Sequence, residues 1–225
     1  AASSPAEPDR NCPLCPRLAE FREQTRAREP NWHNAPVSSF GDPNARVLIV
    51  GLAPGMQGAN RTGRPFTGDY AGDLLYSTLL EYGFATGQYR ARPDDGLTLV
   101  DCRISNAVRC VPPQNKPETS EINACNGFLK ARIASLPKLR AIAALGTIAH
   151  NATLTALGVP WWVTLVYTGA ALGIGLTHPA LDRWMKRPQR VALSNANLVI
   201  GFVGMAVLWV ASGLLPGSSW AVTAV

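Results

Sequence analysis

Two rhythms of apolar residues alternate along the first 158 positions, and together they predict strands alternating with helices. Ala45–Val50 (ARVLIV) is a short apolar run flanked by Gly and Pro, the pattern of a buried strand in a parallel sheet. Leu97–Val108 and Leu139–Leu145 (LRAIAAL) predict two further strands. Helical spacing runs over Leu18–Arg28 and stops before Pro30. Asp73–Tyr82 (DLLYSTLLEY) reads as an amphipathic helix closed by Gly83. Thr119 or Ser120 can cap a helix reaching about Ser135, and Gly146 opens another to about Leu157. This alternation predicts an α/β domain around a small, mostly parallel sheet. Ligands of such sheets bind outside the carboxyl ends of the strands. Two segments leave strands there, Gly51–Gly72 and Ser105–Pro117, and the first is long enough to suggest a functional loop.

After Gly158 the rhythm stops. Trp161–Leu176 and Leu198–Leu215 contain no charged residue. A membrane span needs about 20 apolar residues at about 1.5 Å each, so the second stretch just suffices. The first reaches that length only by including Ala156–Pro160. Gly169 and Gly173 form a G-x-x-x-G, a weak helix-packing signal, and Trp161, Trp162, Trp209 and Trp220 suit interfacial belts. The connector Thr177–Asn197, with four cations against one Asp, belongs on the cytoplasmic side. Lys138 and Arg140 put the N-terminal domain on that side too, and a simple two-span hairpin cannot satisfy both. A re-entrant first segment, a fusion or a frameshifted end would each resolve the conflict. The expectation is a domain over residues 1–158 and a hydrophobic tail over 159–225. The tail is read as two apolar helices, candidate membrane spans, that do not complete the sheet, since a completing strand would need four to eight residues bounded by turns.

Composition sharpens this division. The chain has 225 residues, 47% of them apolar and only 16% charged, with a net charge of +6. Up to Gly158 there are 17 Lys+Arg and 14 Asp+Glu; beyond it the charges are Arg183, Lys186, Arg187, Arg190 and Asp182. Disorder and small disulfide scaffolds are excluded, and a polyanionic partner is permitted. The first thirty residues have no apolar leader segment, which predicts a cytoplasmic, reducing compartment.

Three groups of residues carry chemistry. Cys12 and Cys15 form a C-x2-C pair in a Pro-rich polar segment, and Cys110 and Cys125 form a wide second pair. Four thiolates suit zinc or an iron–sulfur cluster, and the wide pair is less typical of zinc. Cys102, inside a strand, is the expected spare; buried structural thiols are the plainer reading of all five. The loop GLAPGMQGANRTGRPFTGD (Gly51–Asp69) lacks the Lys and hydroxyl of a phosphate loop, which argues against a nucleotide triphosphatase. It offers instead close backbone approach, a ring (Phe66), basic groups (Arg61, Arg64) and a carboxylate (Asp69), a set suited to a flat aromatic ligand beside a phosphate backbone. Asn106 stands at a strand end, where its amide can read the polar edge of a nucleobase. The plainer readings are a packing ring for Phe66, a turn residue for Asn106, and for Asp69 a cap on the helix that follows, near Ala71.

These motifs together resemble the iron–sulfur members of the uracil-DNA glycosylase superfamily, families 4 and 5. The matching segments are CPLC (Cys12–Cys15), NWHNAPVSSFGD (Asn31–Asp42), GLAPG (Gly51–Gly55), GANRTGRPFTGD (Gly58–Asp69), NAVRCVPPQNKP (Asn106–Pro117) and ALGTIAH (Ala144–His150). GLAP followed by GANRTGRPFTGD looks like family 5, the type b enzymes. Family 4 would have an acidic residue where Leu52 stands, whereas Gly55 is the family 4 residue. The resemblance covers residues 10–158 and implies a three-layer α/β/α fold, one [4Fe–4S] cluster on Cys12, Cys15, Cys110 and Cys125, and a monomer acting on single- or double-stranded DNA. The implied reaction is hydrolysis of the bond joining uracil, or another deaminated base, to deoxyribose after the base is flipped out. By the same resemblance Asp69 orients or activates water and Phe66 stacks on the base. Asn106 bonds the base's polar edge, and the backbone of Gly51, Leu52 and Ala53 shapes the pocket floor.

The resemblance breaks at its end. Family members carry a late second loop, His-Pro-Ser or His-Pro-Ala, whose His stabilises charge on the departing base. Here the one such sequence is His178-Pro179-Ala180, inside the connector of the tail. Either His178 is a degenerate second motif or the match is fortuitous. The competing function is therefore a catalytically impaired, membrane-tethered DNA-binding or iron–sulfur module.

Overall fold

The computed structural model describes residues 7–160 and, as backbone, 206–209. Helix α1 (Pro16–Arg28) comes first, followed by the short strand β1 (Phe40–Gly41) and strand β2 (Val47–Gly51). A one-turn helix α2 (Ala59–Thr62) and helix α3 (Tyr70–Glu81) follow. Then come β3 (Ala85–Thr86), β4 (Thr98–Leu99), β5 (Cys102–Asn106), α4 (Thr119–Ala134), β6 (Ala141–Leu145), α5 (Thr147–Leu157) and β7 (Ala206–Trp209). The main sheet has the order β1-β5-β2-β6-β7; β3 and β4 pair separately. β5, β2 and β6 run parallel, and β1 and β7 are antiparallel edges.

Alternation along β2 sets the layers, because successive side chains leave a strand on opposite faces. Leu48 and Val50 pack with Leu129 and Ile133 of α4 and Ala149 and Ala152 of α5. Ile49 packs on the other face with Tyr76 and Leu79 of α3 and Ile104 of β5. A three-layer α/β/α arrangement results, as the resemblance implies, around the mostly parallel sheet that the periodicity predicts. From β2 the chain crosses through α3 to β5 on one side, then through α4 to β6 on the other. That reversal leaves a crevice at the carboxyl ends of the strands, the usual ligand position.

Several local expectations need correcting. The single strand expected over Leu97–Val108 is broken at Asp101, whose φ of 55° bends the chain between β4 and β5. The Asp101 carboxylate takes the Arg46 backbone N–H at 2.9 Å and pairs with the Arg46 guanidinium, fixing the bend. Neither Thr119 nor Ser120 caps α4. Glu118 does, in a reciprocal capping box with Glu121, whose carboxylate accepts the Glu118 N–H at 2.7 Å. The helix expected across Leu198–Leu215 fails at its centre, because Ala206–Trp209 lie in β7, paired with Leu145–Ile142 of β6. A short apolar run reads equally as buried strand or helix, and the open edge of β6 decides between them. The rest of the tail, with Trp161–Leu176 and His178, lies outside the described residues. Among those described, no helix is long and apolar enough to cross a membrane.

Candidate active site and cysteine centre

The three parallel strands end at one cleft of about 620 Å³, lined among others by Leu52, Ala53, Phe66, Asp69, Asn106 and Gly146. Parallel register pairs Gly51 of β2 with Asn106 of β5, setting those strand ends side by side. A side chain at position 51 would have its Cβ 2.5 Å from Asn106 Oδ1 and 2.5 Å from Phe66 Cζ. Glycine there lets the amide and the ring close on the same point.

Asn106 is only 2% exposed, and its Oδ1 is buried without a hydrogen-bond partner. Leaving such an acceptor unmet costs about 1–3 kcal/mol, so an amide placed this way is poised for a ligand. Phe66 adopts a left-handed backbone, φ 52°, at a cost of about 1–2 kcal/mol for a residue with a Cβ. Its carbonyl presses on α3 where Gly72 stands: a Cβ at 72 would lie 1.8 Å from that oxygen. Tyr89 Oη donates to the same carbonyl at 3.3 Å. The loop holding the ring is thus locked to α3.

Asp69 is the one ionisable residue among the described residues that line the cleft. It is the N-cap of α3, with Oδ1 accepting the Gly72 N–H at 2.9 Å. The other oxygen turns toward the turn before α2: a Cβ at Gly58 would stand 2.5 Å from Oδ2, and one at Gly55 3.4 Å. One oxygen therefore holds the helix while the second stays available, and the cap and the functional reading hold together. Arg64, read above as a basic group for a ligand, is instead buried. Its guanidinium bonds both oxygens of Asp95 at 2.8 and 2.7 Å and lies 5.2 Å from the centre of the Tyr76 ring.

Away from the cleft, Cys12, Cys15, Cys110 and Cys125 line one small cavity between α1, the chain after β5, and α4. Cys102 stands apart in the core with Ile49 and Tyr76. Burial, then the neighbouring Cys125, Glu121 and Cys12, pushes the Cys15 thiol up to about 11. Burial and Cys125 push Cys110 to about 12, and burial raises Cys125 as well. Burial and the neighbouring thiols thus disfavour ionisation of Cys15, Cys110 and Cys125 unless a cation is present. The surroundings favour thiolates once one is present: the Arg22 guanidinium is 3.9 Å from Cys110 Sγ, and the Arg109 N–H donates to Cys125 Sγ at 3.4 Å. Among the described residues no three His, Cys, Asp or Glu gather closely enough to chelate a single ion.

Against families of known proteins, the uracil DNA glycosylase superfamily matches over residues 38–198. The chain belongs to that superfamily. Among its relatives, a type-5 uracil-DNA glycosylase of Thermus thermophilus is 46% identical over 154 residues, covering 66% of this chain and 69% of the relative. Its counterpart in Mycobacterium leprae is 38% identical over 186 residues, 75% of this chain and 80% of the relative. A type-4 uracil-DNA glycosylase of Pyrobaculum aerophilum is 34% identical over 150 residues, 66% of this chain and 62% of the relative. The superfamily match runs past the division at Gly158.

Within this superfamily member, sequence reasoning missed part of the cleft wall. Leu145 and Gly146 at the end of β6 line it, as does Asn115 in the turn-rich loop after β5. The rule that ligands meet the carboxyl ends of parallel strands would have picked out Gly146. Asn115 falls in the segment Ser105–Pro117 expected to carry a site, though nothing in its residue type singles it out; there Gln114 and Asn115 both take left-handed backbones, φ 56° and 57°.

Proposed function

We propose that the chain is a DNA repair glycosylase that hydrolyses the N-glycosidic bond of uracil, and of other deaminated bases, in DNA. The observation that carries this reading is the partnerless Asn106 amide oxygen, buried beside Gly51 and Phe66 in a cleft whose one described ionisable group is Asp69. A base flipped from the stack can lie against the Phe66 ring with its polar edge on the amide. As the bond breaks, positive charge grows on the sugar, and a carboxylate at the cleft can stabilise it and orient the attacking water. Asp69 Oδ2 supplies that carboxylate, since Leu52 contributes no acid or base. The backbone of Gly51, Leu52 and Ala53 forms the floor. His178 is the candidate donor to the departing base.

We infer further that Cys12, Cys15, Cys110 and Cys125 hold a [4Fe–4S] cluster. Four thiols lining one cavity, with two N–H donors at the sulfurs, suit a thiolate-held metal group, and the wide spacing of Cys110 and Cys125 is less typical of zinc. Such a cluster would supply a four-point cross-link from the N-terminal arm to α4. Thiols kept for a metal suit a reducing compartment, and the cytoplasm is the proposed location. Residues 1–158 would hold the whole site except His178, with the tail contributing β7. A monomeric state, membrane attachment through the tail, and the impaired-module alternative are separated by fractionation and by the assay below.

Incubating the full chain with a uracil-containing oligonucleotide tests the function: base release leaves an abasic site that alkali cleaves. No release from single- or double-stranded substrate would overturn the reading and leave the impaired module. Asn106→Ala is expected to cut release of uracil roughly tenfold to hundredfold, because a lost hydrogen bond to a buried partner is worth about 1–3 kcal/mol. The same change should narrow the preference for uracil over other bases, measured as the ratio of kcat/KM values. Gly51→Ala is expected to lower release by a similar factor, since the new methyl displaces either the amide or the ring at about 1–3 kcal/mol. Unchanged rates in Gly51→Ala would mean that base and amide do not meet at this point.

A further inference from the structure

The segment Asn31–Asp42 carries part of the resemblance, yet its first residues do not reach the cleft. Asn31, Trp32 and His33 line a separate open hollow of about 560 Å³, together with Arg10, Arg61 and Arg92. All three arginines are exposed, and no carboxylate is among the residues that line the hollow. Its walls come from four distant parts of the chain, and each is tied down. The Arg26 guanidinium donates to the carbonyl of Arg10 at 3.1 Å and to Asn11 Oδ1 at 2.9 Å, fixing the N-terminal arm. The His33 N–H donates to the Arg61 carbonyl at 3.1 Å, and the Asn34 N–H to the Asn60 carbonyl at 3.1 Å. Asn60 Nδ2 donates to Asn34 Oδ1 at 2.9 Å. The loop bearing Arg92 is anchored by Asp95, which accepts the Arg90 N–H at 3.0 Å and holds buried Arg64.

Arg92 meets Asp94 in a fully solvated pair, and pairs of that kind contribute little, so Arg92 can turn to a ligand. Exposed guanidinium groups around an aromatic side chain match what a nucleic-acid strand presents: phosphates for the cations and a base face for the ring. The hollow is also coupled to the cleft. Arg61 lies on α2, whose preceding Gly58 abuts Asp69, and its guanidinium packs at Gly68, the residue before Asp69.

We propose that this hollow is a second DNA contact, in which Arg10, Arg61 and Arg92 take backbone phosphates of the strand flanking the flipped nucleotide and Trp32 offers a face to a base. The proposal rests on the glycosylase reading above, and the experiment separates the two. Binding of the full chain to a fluorescent, uracil-free duplex is followed by anisotropy across a salt series. Each phosphate contact contributes about 0.9 to the slope of log K against log salt. Arg10→Gln/Arg61→Gln/Arg92→Gln is expected to make that slope shallower by roughly 2–3, and Arg92→Gln alone by about 1. Arg46→Gln/Lys130→Gln/Lys138→Gln removes the same charge at exposed positions outside both sites and should leave the slope at the wild-type value. Equal slopes in the wild type and the groove variants, or equal losses in the two triple variants, would overturn the contact. Uracil release by the wild type reports on the glycosylase reading independently: release with a groove-independent slope sinks the contact alone, and a groove-dependent slope without release sinks the glycosylase alone. A wild-type chain that neither binds the duplex nor releases uracil sinks both.

Discussion

Asp69→Asn is expected to slow uracil release by about a hundredfold to ten-thousandfold while leaving the melting temperature close to that of the wild type. The geometry sets the two readouts apart. Oδ1 of Asp69 caps α3 through the Gly72 N–H, and asparagine caps a helix about as well as aspartate. The carboxylate charge is shared with the other oxygen, which faces Gly55 and Gly58, and asparagine removes it. Loss of a positioned acid–base group typically lowers a rate by 10²–10⁴. On the proposed role, in which the charge acts on the transition state, the effect should fall on kcat, with DNA affinity little changed. Asp69→Ala loses the cap as well and should add a destabilisation of about 1 kcal/mol. A rate in Asp69→Asn within a few-fold of the wild type would reduce Asp69 to its capping role.

Replacing Cys125 by Ala is expected to strip the proposed cluster. Protein purified anaerobically should fall from about four iron atoms per chain to below one and lose its broad visible absorbance. Cys125 sits in α4, facing a cavity it shares with Cys12 and Cys15 of the N-terminal arm. Without the cross-link, the arm before α1 should become a site of proteolysis, read by limited digestion and mass spectrometry. Cys102→Ala is the contrasting variant: Cys102 lies in the core beneath α3, so iron content should persist and only stability should fall. Stoichiometric zinc in colourless wild-type protein would replace the cluster by a single metal ion, and equal iron in the two variants would remove the centre from these cysteines.

Much of the domain was legible along the chain because its strands are short and apolar, and helical spacing separates them. Burial on both faces demands such runs, and Ala45–Val50 and Leu139–Leu145 fall within two residues of the observed β2 and β6. Gly51, Phe66, Asp69 and Asn106 could be singled out because loops at strand ends reveal chemistry through residue type: a glycine cluster, a ring, an acid and a strand-end amide. The structure gathers Phe66, Asp69 and Asn106 at one cleft, with Gly51 against the ring and the amide, and the four cysteines at another cavity.

What tertiary structure alone decided depends on partners distant in sequence. Arg64 resembles a ligand-binding cation until Asp95, buried beside it, claims the guanidinium. Glu7 pairs with Arg109 and Arg132, more than a hundred residues away, and no local pattern announces that contact. The sharpest case is Ala206–Trp209. In an uncharged run of eighteen residues, composition favours a membrane helix. A strand forms there because β6 would otherwise keep an unpaired edge, and the hydrogen bonds of that edge are properties of the folded sheet. Apolar composition by itself determines that a segment is to be buried. Which surface buries it, and in which backbone form, depends on what the rest of the chain has left open.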